Sequence, residues 1–121
     1  MISLLEEAYL RDTAGKIHAL NREVGWWDGV NPVDVVPEKL CLIHSEISEA
    51  MEAHRKDLMD DKLPDRPGIE VELADAVIRI LDLGDALGID VPGAIRGKFE
   101  YNTTREDHKR ENRAKPGGKR Y

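Results

Sequence analysis

The stretch VELADAVIRILDL, Val71 to Leu83, decides how the chain folds. Apolar side chains at Val71, Leu73, Ala74, Ala76, Val77, Ile78, Ile80, Leu81 and Leu83, with Ile69 just before them, cover nearly the whole circumference of a helix at 100° per residue. Only Glu72, Asp75, Arg79 and Asp82 leave a polar stripe. A helix apolar on so many sides is a central one, contacted from several directions by its own chain or by a second subunit. Acids enclosed on such a helix need a base or a metal ion, because an unpaired buried charge is strongly disfavoured.

A second acidic pair stands upstream. In SEISEAMEAHR, Glu46 and Glu49 are three residues apart, as Glu72 and Asp75 are. Carboxylates at i and i+3 on a helix project from one face, so two such helices side by side bring four carboxylates together. Like charges at close range raise one another's pKa, and the cluster needs a counter-charge. Mg²⁺ supplies it well, as a hard cation that takes oxygen ligands and keeps several waters; Mn²⁺ is the second option. That chemistry suits cleavage of a phosphate ester or anhydride. A di-iron bundle would want Glu-x-x-His pairs, and the chain has none.

Working outward, the helix carrying Glu46 and Glu49 is expected from about Pro37 to Leu58, with Leu40, Ile43, Ile47, Met51, His54 and Leu58 as its apolar stripe. Glu46 lies on the rim of that stripe and Glu49 further round, towards water. An earlier helix is expected over Ile2 to Val24, followed by a turn at GWWDGVNP. MDDKLPDRPG reads as a surface loop, and the third helix runs from Ile69 to Leu87 with Gly88 as its stop. A fourth helix starts after the N-cap Asp90, with Pro92 in its first turn, and reaches His108. On it Lys98, Asn102 and Arg105 fall at i, i+4 and i+7, a polar face suited to phosphate oxygens. The expected organisation is all-α: a helical domain over residues 1–108 and a flexible basic tail over 109–121.

Composition narrows the functional classes. The net charge of −6 hides an asymmetry, because residues 105–121 hold seven Lys/Arg against three Asp/Glu, leaving −10 on residues 1–104. An acidic body argues against general nucleic-acid binding, which needs a basic face. No apolar run approaches the length of a membrane span, and the single Cys41 excludes an internal disulfide framework. A soluble protein of the reducing cytoplasm is the expectation. His18, near Trp26 and Trp27, could bound a pocket for a base; the alternative is that the tryptophans anchor their loop to the core.

ExxE, 22 residues, then ExxD, on two helices of a four-helix unit, resembles the MazG-type nucleoside triphosphate pyrophosphohydrolases of the all-α NTP pyrophosphatase superfamily. SEISEAMEAHR, EVELADAVIRILDL, KFEYNTTR and GGKRY together look like the short, single-domain, MazG-like proteins of bacteria and phages. The resemblance implies a four-helix bundle assembled as a homo-dimer or homo-tetramer. It implies hydrolysis of a nucleoside triphosphate between the α and β phosphates, in house-cleaning or in control of the dNTP pool. Glu46, Glu49, Glu72 and Asp75 would then hold Mg²⁺, with Glu46 or Glu49 acting on the attacking water, and Lys98, Asn102 and Arg105 would bind the triphosphate. Ser45 stands where many relatives carry a further glutamate. A non-catalytic helical adaptor that binds a nucleotide or a protein is the competing expectation.

Overall fold

The computed structural model describes all residues 1–121. They form four long helices, α1 (Leu4–Glu23), α2 (Val36–Arg55), α3 (Gly68–Ala86) and α4 (Val91–Thr104), and one short helix, α5 (Arg110–Arg113). There is no β-strand, only an isolated bridge between Met59 and Pro67. The all-α expectation holds.

Helix boundaries follow local chemistry. The Ser3 hydroxyl accepts a hydrogen bond from the Glu6 amide, and the Glu6 carboxylate accepts one from the Ser3 amide at 2.7 Å. This reciprocal capping box starts α1 two residues later than the apolar periodicity suggests. A 3₁₀ turn over Pro32–Val35, capped by Asn31, leads into α2, whose first turn holds Pro37. Past the end of α3 the chain turns at Gly88, whose φ of +66° few residues other than glycine adopt at little cost. Asp90 caps α4, its side chain accepting from the Gly93 amide at 3.0 Å.

By internal contacts the chain divides into two compact units, one of residues 1–11 with 90–121 and one of residues 12–89.

In the first unit Glu7 is buried and accepts hydrogen bonds from Arg11 and Arg96, while Arg11 also donates to Asp90 at 2.7 Å. Here α4 stops at Thr104, four residues before the expected end, and a 3₁₀ turn follows over Glu106–His108. The tail is not the open segment that its composition suggests. α5 interrupts it, and the Arg113 guanidinium donates to the carbonyls of Lys119 and Arg120. Gly117, at φ +80°, makes the intervening turn.

In the second unit α2 and α3 pack side by side, and their connection is tied at several points. The Gly68 amide donates to the Leu58 carbonyl at 2.8 Å, and the buried Asp60 carboxylate accepts from the amides of Lys62 and Leu63. A Cβ on Gly68 would lie 2.9 Å from the Ala53 Cβ and 3.0 Å from the Leu58 oxygen, so only glycine lets α3 begin so close to α2.

The face of α2 turned inward is not the apolar stripe expected for it. Glu46, Ala50 and Ala53, at i, i+4 and i+7, are buried, whereas Leu40, Ile47, Met51 and Leu58 are exposed. Alanines at Ala50, Ala53 and Ala76 let the helices approach closely, and the larger side chains remain on the outside. α3 buries Leu81 and Leu83 but exposes Leu73, Val77, Ile78 and Ile80.

Candidate metal centre

The close α2–α3 seam carries the acids to one point. One carboxylate oxygen each from Glu46, Glu72 and Asp75 lie within 4.8 Å of one another. Glu46 is only 6% exposed, deeper than its position on the helical rim implies, because the alanine face of α2 and not its leucine face meets α3. Glu49, one turn on, is exposed and belongs to the same proton-sharing group.

Charge crowding shows in how each acid titrates. Burial, a hydrogen bond to Glu46 and the nearby charges of Glu49 and Glu46 push the Glu72 carboxyl from 4.5 up to about 7. Glu49 is raised by donating a hydrogen bond to Glu46 and by desolvation. Asp75 is raised by burial and then by the charge of Glu46. For Glu46, burial acts upward, but hydrogen bonds from Arg79, Glu49 and Glu72 outweigh it and the net direction is down. Crowding thus favours the charged form of Glu46 and disfavours that of Glu49, Glu72 and Asp75.

Arg79 sits four residues beyond Asp75 on α3, and its Nε donates to Glu46 Oε1 at 2.6 Å. In the sequence Arg79 belongs to the polar stripe of this helix, and its i+4 spacing from Asp75 is the signal that ties it to the acids. The donor set is all carboxylate oxygen, with neither His nor Cys among the three that converge. That chemistry fits a hard divalent cation such as Mg²⁺ or Mn²⁺ and fits a soft metal poorly.

A cavity of about 650 Å³ opens against Glu46, Asp75 and Arg79, and its remaining wall includes Asn21, Trp26, Lys39 and Asp82. The two tryptophans play separate parts. Trp26 is 68% exposed and faces this cavity. Trp27 is 9% exposed, and its Nε1–H donates to both oxygens of Asp82 at 3.2 Å. His18 Nδ1 lies 2.7 Å from Asp82 Oδ1, and its ring meets Trp27 edge-on at 5.5 Å. Lys39 covers the Trp27 ring at 4.6 Å. Asp82, buried in this network, anchors both rings to α3, so His18 and Trp27 form the frame that carries the turn and Trp26. No member of that network can be assigned from spacing alone, since His18 and Asp82 are 64 residues apart.

No family model, curated protein or solved structure matches the chain.

Lys98, Asn102 and Arg105 belong to the first unit. Because α4 ends at Thr104, Arg105 sits in extended backbone past the helix and does not continue an i, i+4, i+7 face. Lys98 and Arg105 both approach the Tyr101 ring, at 4.8 and 5.6 Å. Arg105 makes a two-pronged bond to Asp107 at 2.9 and 2.7 Å, which draws that carboxyl far below its ordinary range. Lys119 reaches Asp107 as well. The Asn102 side-chain oxygen is buried without a hydrogen-bond partner.

Proposed function

We propose that the protein is a divalent-metal-dependent nucleoside triphosphate pyrophosphohydrolase, converting a (d)NTP to the monophosphate and pyrophosphate. The observation that carries this reading is the convergence of Glu46, Glu72 and Asp75 within 4.8 Å beside a cavity of about 650 Å³. The α–β position of cleavage and the triphosphate substrate rest on the resemblance of the acid motifs.

In this reading Glu46, Glu72 and Asp75, with Glu49 beside them, hold Mg²⁺. Bound there, the ion would supply acidification of a water and offset of charge on the phosphate oxygens. Glu49, exposed at the edge of the cluster, orients the attacking water and takes its proton. The water oxygen bonds to the α-phosphorus, the bridging bond to the β-phosphate breaks, and the electron pair leaves with pyrophosphate. Trp26 offers a flat apolar face in the cavity on which a base stacks. The exposed apolar faces of α2 and α3 are covered by a second copy of the chain, completing a four-helix arrangement as a dimer or tetramer.

A second reading, a non-catalytic helical adaptor, draws on the same exposed face of Leu40, Ile47, Met51 and Leu58. Pyrophosphate release across a panel of canonical and modified NTPs and dNTPs, with wild type run beside Glu49→Gln, separates the two. The enzyme reading predicts release from one or a few substrates, lost in the variant. Silence across the panel from folded protein favours the adaptor.

A further inference from the structure

Arg79 takes no step in the chemistry above, yet it is the one cation that forms a salt bridge with the carboxylate cluster. Its place follows from the helix: Glu72, Asp75 and Arg79 stand at i, i+3 and i+7 on α3, one stripe facing α2. The pair it makes is unequal. The Glu46 side chain is 9% exposed and the Arg79 side chain 40% exposed, so the guanidinium can leave the bond for solvent, whereas the carboxylate stays enclosed. A divalent cation that draws on Glu46 brings a second positive charge to a carboxylate already engaged, and the two repel. Arg79 also lines the adjoining cavity, where its planar fork of donors matches phosphate oxygens.

We propose that Arg79 is the counter-ion that a divalent cation displaces from Glu46, and that the freed guanidinium then binds the anionic ligand in the cavity. This inference rests on the metal-centre reading. The bond to Glu46 lowers cation affinity, and an anion that captures the guanidinium raises it. Linkage makes the effect reciprocal: the cation tightens anion binding through the same side chain. Arg79 is thereby a shared partner of both sites, making occupancy by metal and by phosphate interdependent.

Calorimetric titration with Mn²⁺, with and without inorganic phosphate, tests the inference on wild type, Arg79→Gln and Asp75→Asn. Arg79→Gln is expected to bind Mn²⁺ about tenfold more tightly than wild type in the absence of phosphate. Phosphate should tighten Mn²⁺ binding severalfold in wild type and leave Arg79→Gln unchanged. Equal or weaker binding by Arg79→Gln, with binding abolished in Asp75→Asn, overturns the displacement while the metal centre stands. Absence of binding in wild type and in Arg79→Gln overturns both. A measurement on the unmutated protein needs no variant to fold: the Arg79 Nε–H resonance should move from its hydrogen-bonded position as Mg²⁺ is added. A resonance that stays in place at saturating Mg²⁺ overturns the displacement.

Discussion

Replacing Glu72 by glutamine should stabilise the metal-free protein at alkaline pH, an unusual outcome for a partly buried polar residue. The folded chain holds the Glu72 proton up to about pH 7, whereas the unfolded chain releases it near 4.5. A raised folded pKa means that stability is fully present below 4.5 and is lost as the pH climbs towards 7. The gap of about 2.5 pH units, at about 1.36 kcal/mol each, sets an upper value of about 3.4 kcal/mol. Screening by water at this partly exposed group reduces it to about 1–2 kcal/mol. Glutamine keeps the shape and carries N–H donors for Glu46 and Glu49 in place of the proton. For 121 residues the unfolding entropy is about 0.25 kcal/mol/K, so the gain corresponds to about 4–8 °C in Tm. Thermal melts in EDTA at pH 8 and pH 5 measure it. The gain should fall to about a quarter at pH 5, and Mg²⁺ should stabilise wild type more than the variant. An unchanged or lowered Tm at pH 8, or the same gain at both pH values, would refute the charge-crowding argument.

Other outcomes follow from the same geometry. Glu49→Gln and Asp75→Asn should each lower pyrophosphate release by about 100-fold or more while leaving the circular dichroism spectrum intact. Trp27→Ala should destabilise the protein by about 3–5 kcal/mol in denaturant titration, because it opens a cavity and strips Asp82 of a donor. Trp26→Ala should change stability by no more than about 0.5 kcal/mol and act on KM instead. Gly68→Ala forces a methyl group against Ala53 and the Leu58 carbonyl, and should lower stability by about 1–3 kcal/mol.

Much of the helix pattern is legible in the sequence. Pro37, the proline-rich connector, Gly88 and the Asp90 cap mark breaks and starts by backbone chemistry that acts within a few residues, and α2, α3 and α4 begin where they indicate. What local pattern could not supply was which face of α2 turns inward. Counting apolar residues selects Leu40, Ile47 and Met51, but the chain buries Glu46, Ala50 and Ala53, since small side chains permit the close seam that the Gly68 junction requires. The acid pairs were visible as i, i+3 spacings; the depth of Glu46 and its partner Arg79 depend on that inward face and were not. The end of α4 was misplaced for a related reason. Asp107 captures Arg105 in extended backbone, a competition between local ion pairing and helix continuation that periodicity does not register. The Asp82 network joins residues far apart in sequence, and only the fold brings them together.

Anomalous diffraction at the manganese edge, from crystals grown with Mn²⁺, tests the central claim most directly. The account predicts a peak between α2 and α3, at ligand distance from the carboxylates of Glu46, Glu72 and Asp75, with Arg79 turned away from Glu46. Ordered density for those side chains at saturating Mn²⁺, with no peak among them and the Arg79–Glu46 bond in place, would contradict it.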